Sequence, residues 1–426
     1  MQKHEMIAHA RQVMADNDRG TYTVPTHGLY PFQWNWDSAL SALGFAQFDE
    51  PRAWTEIETL LAHQWEDGMV PHIIFHTPDD GYFPGPEVWG TERPVPTTGI
   101  TQPPVAGFAV ARIHARARDK ALADTQARAL LPRIHAWHQW FYRARDPKGT
   151  GLVALLHPWE SGRDNSVDWD AAFTRVPTEG VGEFTRRDTT HANPAHRPTD
   201  EQYKRYIWLV KKFRSLGWDN SKLHDASPFQ VVDPGFNAIL IRACQEVAEL
   251  AERLDMPQIA AESRVMAEAG VAAMETLWNE DLGQYLCLDR TTGAQIDSPS
   301  IGGILAVFAP IPKHRAAGIS ARLKVLAESC EYLIPSHDPT APEFEGLRYW
   351  RGPVWLIVNY MVADGLARAG EPEMIGRIMG DCLRLIETSG FAEYHDPITA
   401  DPCGGAHFTW TAAMIIEILH SYDFAA

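Results

Sequence analysis

The chain is poor in cysteine and has no long apolar run. Its five cysteines are an odd number without a C-x-x-C pair, and they are Cys244, Cys287, Cys330, Cys382 and Cys403. This spacing predicts buried, reduced thiols and not a disulfide framework. No apolar run approaches the roughly 20 residues of a membrane span, and the first residues lack the apolar region of a signal peptide. We therefore expect a cytoplasmic protein with no membrane partner.

Basic residues are also scarce. The 426 residues include 38 Lys and Arg against 55 Asp and Glu, which gives a net charge of −17. Such a surface repels phosphate backbones and anionic lipid, so nucleic acid is excluded as an expected partner. Tryptophan, in contrast, is abundant, with 15 Trp against 12 Tyr. Because flat indole rings form platforms for sugar faces as well as cores, this excess favours a carbohydrate ligand without proving one.

Strand patterns and Gly/Ser linkers are missing, whereas helical apolar spacing continues from end to end. The spacing predicts helices near 4–16, 37–48, 52–66, 103–118, 124–144, 199–216, 236–254, 257–278, 300–309, 314–330, 354–369, 374–388 and 408–421. Ser389-Gly390 predicts the end of the helix 374–388. The best candidate for a strand is the short run 285–289.

The helices predict an all-α fold with a single domain over residues 1–426. They come in pairs separated by long loops rich in aromatic residues, proline and glycine, and loops this long are usually functional. Six helical hairpins closed into an (α/α)6 toroid, with the loops gathered at one mouth, satisfy this pattern. A helical solenoid is the alternative, although no sequence repeat of 34 or 40 residues supports it.

The first aromatic loop reads YPFQWNWDSAL and contains Tyr30, Gln33, Trp34, Trp36 and Asp37. Asp37 followed by Ser38 is typical of a helix N-cap, and the tryptophans are able to pack in a core. The functional alternative is a sugar platform in which Asp37 and Gln33 hydrogen-bond to hydroxyl groups.

The second loop, LLHPWESGRDNSVDWD at 155–170, carries Glu160, Asp164, Asp168 and Asp170. Glycoside hydrolysis needs a carboxylic acid to protonate the leaving oxygen and a second carboxylate on the opposite side. A carboxyl group beside Trp159 has its pKa raised by desolvation, as such an acid requires. The acidic residues superficially resemble a calcium loop, but the Gly and Glu positions of that motif are absent, so no metal is expected.

Three later passages add candidate groups. SGFAEYHDP at 389–397 exposes Glu393 after a helix end, although a solvated surface glutamate gives the same pattern. LRYWRGPVW at 347–355 suits either a pocket wall or simple packing, and GGAHFTW at 404–410 brings a histidine and a tryptophan to the last helix. The residues singled out in these two passages are Tyr349, Trp350, Arg351, Trp355, His407 and Trp410.

A polar insertion at 175–228 contains RRDTTHANPAHRPTDEQYKRY, which is locally basic in an acidic protein. Arg197 and Tyr203 flank a predicted helix start with Thr199 as its cap. A forked guanidinium matches a small carboxylate, so the insertion predicts a patch that recognises a carboxylate and covers the substrate. A solvated surface excursion is the alternative interpretation.

Together these motifs resemble glycoside hydrolase family 63, and more narrowly its bacterial mannosylglycerate and glucosylglycerate hydrolases. The resemblance runs from YPFQWNWDS through WESGRDNS and YWRGPVW to AEYHDP and HFTW. It implies an (α/α)6 toroid and an inverting hydrolase in which Asp164 is the general acid and Glu393 the general base. No metal or organic cofactor is implied, and the resemblance allows a homo-oligomer, either a dimer or a tetramer.

The resemblance also implies a substrate, a sugar α-linked to D-glycerate. Its glycerate half corresponds to Arg197, Tyr203, Tyr349 and Trp350, and its sugar half to Tyr30, Trp34, Trp36, Asp37, Tyr82 and Gln102. The remaining predicted binding residues are Gln33, Trp159, Gly162, Trp355, His407 and Trp410.

Three other functions fit parts of the sequence. An α-glucosidase for kojibiose-, nigerose- or trehalose-like disaccharides keeps both carboxylates but does not need Arg197. An epimerase on a helical toroid would use histidines as acid and base, and His27, His72, His157 and His407 are available. A non-catalytic sugar-binding protein would keep the tryptophan platforms alone.

Overall fold

The structure is a computed structural model that describes residues 2–422, without the side chains at positions 190 and 191. Within these residues the α-helices are α1 (Lys3–Asn17), α2 (Asn35–Ala46), α3 (Glu50–Ala62), α4 (Pro86–Trp89), α5 (Ala106–Arg116), α6 (Lys120–Arg145), α7 (Asp170–Phe173), α8 (Asp188–His191), α9 (Asp200–Ser215), α10 (Asn220–Ala226), α11 (Pro234–Arg253), α12 (Pro257–Met274), α13 (Ile301–Leu305), α14 (Lys313–Leu326), α15 (Leu356–Ala369), α16 (Ile375–Ser389) and α17 (Thr409–Ser421). Short 3₁₀ turns lie at Pro158–Ser161, Val167–Trp169, Pro194–His196, Glu275–Leu277 and Ala306–Phe308.

Six helices form a closed inner ring. Helix α2 packs on α5, α5 on α11, α11 on α13, α13 on α15, α15 on α17, and α17 returns to α2. The other long helices of the ring pairs, α1, α3, α6, α12, α14 and α16, lie outside this ring, each beside an inner helix. This arrangement confirms the predicted all-α (α/α)6 toroid.

The two rings differ in their hydrophobic patterns. In α15 every residue from 356 to 366 is buried, and a helix that is buried on all sides must lie inside the protein. Helix α16 instead buries one stripe that includes Ile378, Cys382 and Leu385. It ends at Ser389, followed by Gly390 with φ +73°, which confirms the predicted stop.

The predicted helices all correspond to helices of the structure, although their ends differ by a few residues. Four short helices within the long loops, α4, α7, α8 and α10, were not predicted, because they lack a sustained apolar period. Asp37 is not an N-cap. Helix α2 begins earlier, with Trp34 at the N-cap position, and Asp37 lies in its first turn, where a carboxylate is favoured by the helix dipole.

The strands are two residues long and form four small antiparallel sheets. They are β1 (Gln33–Trp34), β2 (Ile73–Ile74), β3 (Val231–Val232), β4 (Trp278–Asn279), β5 (Gln284–Tyr285), β6 (Leu288–Asp289), β7 (Ala294–Gln295), β8 (Tyr394–His395) and β9 (Pro402–Cys403). The sheets are β1-β2, β3-β6-β7, β4-β5 and β8-β9. No helix among residues 2–422 combines the length and apolarity that a bilayer crossing needs.

The strand predicted at 285–289 is wrong as a single element. Tyr285 pairs with Trp278, whereas Asp289 pairs with Val231 in a different sheet. The chain changes partners between these residues because a separate segment lies beside each end of the run. Two of the small sheets position the mouth of the toroid, since β1-β2 joins the first aromatic loop to Ile73–Ile74 in the loop between α3 and α5, and β8-β9 begins directly after Glu393.

Candidate active site

One cavity at the mouth of the toroid is lined by residues from several of the long loops between the helices. Fourteen of the eighteen predicted site residues line it, and they are Tyr30, Trp34, Trp36, Asp37, Tyr82, Gln102, Trp159, Gly162, Asp164, Arg197, Tyr203, Tyr349, Glu393 and Trp410. The walls are largely aromatic. The rings of Trp36 and Trp410 meet edge to face at 5.5 Å, and those of Tyr30 and Trp34 at 5.2 Å. These contacts leave apolar faces beside polar groups, as a sugar ring requires.

Gln33 and His407 were predicted to bind substrate but do not line the cavity. Gln33 precedes Trp34 in β1, and side chains alternate sides along a strand. Its amide donates to the Ser38 hydroxyl at 3.0 Å, away from the cavity. His407 is exposed and has a left-handed φ of +50°. This turn directs the following Phe408, and not the histidine, toward the cavity.

Trp350 and Trp355 also lie outside the lining. Their rings stack on each other at 3.8 Å with an angle of 3° between the planes, and both residues are buried. The Trp355 indole NH donates to the Tyr349 carbonyl oxygen at 3.1 Å. The pair therefore supports Tyr349, which does line the cavity, and the predicted direct contacts of both tryptophans are corrected to a packing role.

Glu393, the predicted base, is held by several donors. Its Oε1 accepts from the Tyr30 hydroxyl at 3.2 Å and its Oε2 from the Gly405 NH at 2.9 Å, while Arg197 Nη1 lies 3.9 Å from Oε2. Gly404 has φ +73°, and a Cβ there would overlap Oε2 of the glutamate. Burial raises the pKa of Glu393, whereas Arg197, the Gly405 NH and the Tyr30 hydroxyl oppose this rise.

Asp164, the predicted acid, has a different environment. Among the residues whose side chains the structure describes, no other residue donates a hydrogen bond to its carboxyl group. Burial raises the pKa of Asp164 to about 7, chiefly because desolvation outweighs the attraction of Arg197. The preceding turn requires glycine, since Gly162 has φ +70° and a Cβ there would lie 2.6 Å from the Trp36 ring. Asp164 therefore faces the cavity as a partly protonated acid near neutral pH.

The other acidic residues of 155–170 have separate arginine partners. Arg145 pairs with Glu160 at 2.6 Å and Arg163 with Asp168 at 2.9 Å. Asp170 pairs with Arg351 at 2.9 Å, which gives the predicted Arg351 turn a structural role. Because these carboxylates are divided among different arginines, they do not form the calcium loop that the sequence superficially resembles.

Arg197 lies between the base and the covering loop. It is 5% exposed, its Nε donates to Asp188 at 3.2 Å and its Nη2 to the Tyr30 hydroxyl at 2.9 Å. Its guanidinium lies 4.1 Å from the centre of the Tyr349 ring. The third nitrogen, Nη1, is buried and has no hydrogen-bond partner in the described part of the chain. A solvated surface excursion is therefore wrong for Arg197, whose Nη1 lies 3.9 Å from Glu393 Oε2 but makes no hydrogen bond to the described residues.

The start of the helix after Arg197 is as predicted. Thr199 caps α9 by accepting from the Gln202 NH at 3.2 Å, and the Gln202 side chain returns to the Thr199 NH at 2.9 Å. The inward face of α9 brings Tyr203 to the cavity, where its hydroxyl donates to the Phe83 carbonyl oxygen at 3.2 Å. This cap thus fixes two of the predicted binding residues on either side of one helix start.

Histidine acid–base chemistry does not match the cavity. Only His72 of the four candidate histidines is among the described lining residues, and burial lowers its pKa to about 3. His157 is also buried, with a pKa of about 3, and its Nε2 contacts the Tyr206 carbonyl oxygen at 3.0 Å. Both rings are therefore neutral near pH 7. Asp37 is a third carboxyl group in the cavity, and burial raises its pKa well above the usual range.

Several lining residues were not predicted to bind. They include His72, Trp89, Arg187, Asp188, Tyr206 and Phe408. The signal for Asp188 was present in the RRD sequence, where an acidic residue interrupts a basic run. For Tyr206 no signal exists in the sequence, because the spacing of α9 does not reveal which segment faces its buried side.

Comparison with known proteins identifies the family. A model of the mannosylglycerate hydrolase MGH1-like glycoside hydrolase domain matches residues 30–411. The chain belongs to this family. The match includes the helices from α2 to α16 and the loops that line the cavity.

Relatives of this MGH1-like chain cover it almost completely. It is 46% identical to mannosylglycerate hydrolase MGH1 of Selaginella moellendorffii over 98% of this chain and 86% of that protein. It is 36% identical to glucosylglycerate hydrolase of Mycolicibacterium hassiacum, over 97% of this chain and 98% of that protein. The crystal structure of the family 63 mannosylglycerate hydrolase from Thermus thermophilus with Tris and D-glycerate has a TM-score of 0.94 and 45% identity, covering 97% of this chain and 99% of that one. The predicted family resemblance and enzyme class are confirmed.

Proposed function

We propose that this glycoside hydrolase cleaves 2-O-α-mannosyl- or 2-O-α-glucosyl-D-glycerate with inversion, and that Asp164 and Glu393 are its acid and base. One observation carries this proposal. Both carboxyl groups reach a single cavity that also contains a buried guanidinium nitrogen, Arg197 Nη1, without a hydrogen-bond partner among the described residues. A hydroxyl oxygen of a neutral disaccharide would accept a hydrogen bond from this donor, but a glycerate carboxylate adds a charge-assisted hydrogen bond, which is the stronger interaction.

The chemistry follows from the two carboxyl environments. Asp164 is protonated in a large fraction of molecules near its pKa of about 7, so it supplies a proton to the glycosidic oxygen as the bond from the anomeric carbon breaks. Glu393 is held toward its ionised form by Arg197, Tyr30 and the Gly405 NH. It takes a proton from the water that attacks the opposite face, which yields the β-anomer of the sugar and free glycerate.

The aglycone side is assigned to Arg197, Tyr203 and Tyr349, with the segment 175–228 as its cover. Arg197 already has two of its nitrogens fixed by Asp188 and Tyr30, so the free Nη1 is oriented before substrate arrives. The sugar side is assigned to Trp34, Trp36, Asp37, Tyr82 and Gln102. Preorganised donors and apolar walls of this kind reduce the ordering cost of binding.

The choice of sugar is left open, because relatives named for mannosylglycerate and for glucosylglycerate both align over nearly the whole chain. A substrate panel tests the proposal with mannosylglycerate, glucosylglycerate, kojibiose, nigerose and trehalose. We expect turnover of at least one glycerate glycoside and little turnover of the disaccharides. Proton NMR of the first product formed should show the β-anomer. Preference for a neutral disaccharide, or release of the α-anomer, contradicts the proposal.

A further inference from the structure

Tyr206 joins the helix α9 to the segment that carries the proposed acid. Its hydroxyl donates to the backbone carbonyl oxygen of Asp164 at 2.7 Å. The backbone carbonyl of Tyr206 in turn contacts His157 Nε2 at 3.0 Å. The tyrosine is 1% exposed, so both contacts are shielded from water. The segment 155–170 therefore contacts α9 through both the side-chain hydroxyl and the backbone carbonyl of Tyr206.

The Asp164 carboxyl group depends on its backbone for its direction. No other residue in the described part of the chain donates a hydrogen bond to that carboxyl, in contrast to Glu393. The residues on either side of Asp164 are also held, since the Arg163 carbonyl oxygen accepts from the Trp169 indole at 2.6 Å and the Asn165 side-chain amide donates to the Gln202 side chain at 3.2 Å. The peptide carbonyl of Asp164 itself is fixed by Tyr206.

We infer that Tyr206 is a positioning residue for the proposed general acid, acting through the Asp164 backbone and not on the substrate. The same helix start carries Arg197 and Tyr203 on the proposed aglycone side. Gln202 adds a second link, because its Oε1 accepts from Asn165 and also from Arg348 at 3.2 Å, next to Tyr349. The orientation of Asp164 therefore depends on the position of the segment that binds the aglycone. This inference rests on the proposed function.

The test separates positioning of an acid from general support of the fold. Loss of acid catalysis matters when the leaving group needs a proton and matters little for fluoride, which leaves without one. For Tyr206→Phe we expect kcat on the glycerate glycoside to fall about 10-fold or more, since small displacements of a catalytic group are costly. KM should change less than about 2-fold, and kcat on α-mannosyl or α-glucosyl fluoride should change less than about 2-fold.

A matched control removes another tyrosine hydroxyl that donates to a backbone carbonyl. Tyr142 donates to the Met266 carbonyl oxygen at 3.4 Å on the outer side of the toroid, so Tyr142→Phe should leave both activities unchanged. Equal losses of Tyr206→Phe on both substrates would overturn the inference, as would an unchanged kcat with a raised KM. Asp164→Asn is measured in parallel. If it keeps full activity on the glycerate glycoside, the proposed function itself fails, whereas a loss there with no effect in Tyr206→Phe rejects the positioning role alone.

Discussion

The two sides of the cavity each carry a buried carboxyl group, but the surroundings of the two groups differ. Burial raises the pKa of both Asp164 and Glu393. On the Glu393 side, a hydroxyl, a backbone NH and a guanidinium offset that rise. On the Asp164 side, the described residues supply no hydrogen-bond donor to the carboxyl, so the proton is retained. The different numbers of donors around the two carboxyl groups support the proposed roles of Asp164 as acid and Glu393 as base.

The largest effect should come from removing either carboxyl group. An added anion should restore activity on one side of the cavity only. Asp164→Ala and Glu393→Ala are each expected to lower kcat on the glycerate glycoside by about 10²–10⁴-fold, because each removes one proton transfer. Sodium azide should restore turnover in Glu393→Ala, where the anion replaces the activated water and gives the β-glycosyl azide.

The same azide should not rescue Asp164→Ala, which still lacks a proton donor for the glycerate oxygen. Product analysis by NMR and steady-state rates check both variants, with far-UV circular dichroism as the measure of folding. Azide rescue of the aspartate variant alone would reverse the assignment of the two sides.

Arg197 tests the aglycone side with a smaller but still large effect. Arg197→Met should weaken kcat/KM on mannosylglycerate or glucosylglycerate by about 30- to 1000-fold, the equivalent of about 2–4 kcal/mol for a buried Arg–carboxylate contact. The matched neutral substrate is the corresponding glycosylglycerol, which lacks only the carboxylate. Its kcat/KM should fall by a much smaller factor, and equal losses on both substrates would remove the support for glycerate recognition.

The pH dependence of kcat/KM compares Asp164 and Glu393 while both carboxyl groups are still present. In the wild-type enzyme kcat/KM should fall on the alkaline side with an apparent pKa of about 7, because Asp164 must keep its proton. Tyr30→Phe removes a donor that lowers the pKa of Glu393, so the acidic limb should move to higher pH. The alkaline limb should stay in place. A shift of the alkaline limb instead would mean that Tyr30 acts on the acid.

The sequence predicted the toroid well because helical apolar spacing continues from end to end, in pairs of helices separated by long loops. The sequence predicted a helix near 354–369 but not its place in the inner ring, which the structure shows by the burial of every residue from Leu356 to Leu366. The short helices and strands in the loops escaped prediction because two to seven residues carry too little periodicity. The same limit explains the error at Gln33, whose side depends on a strand of two residues.

The site was predicted in part from chemistry and in part from resemblance. Carboxylates beside aromatic residues pointed to glycoside hydrolysis, but the choice of Asp164 over Glu160 came from the resemblance. The structure adds the physical reason, since Glu160 is neutralised by Arg145, while no arginine among the described residues is bound to Asp164. The contact of Tyr206 with Asp164 was not predictable, because it joins helix α9 to a loop segment and only the fold determines their relative placement.

The smallest predicted effect concerns stability, and it should be larger on the Asp164 side than on the Glu393 side. Burial raises the pKa of Asp164 in the folded protein from 3.8 to about 7. Ionisation of this carboxyl therefore destabilises the folded protein progressively as the pH rises through this range, and the full destabilisation is reached above pH 7. Asp164→Asn should therefore increase the free energy of unfolding at pH 8 by about 1–2 kcal/mol, less than the full conversion of the shift because the carboxyl borders an open cavity. At pH 4 the difference should nearly vanish. Glu393→Gln also removes a carboxyl whose pKa is raised by burial, but it gives up the attraction of Arg197, so its stabilisation at pH 8 should be smaller than that of Asp164→Asn. Urea unfolding at the two pH values measures this, and equal stabilisation by both variants would mean that the donors around Glu393 do not offset its burial.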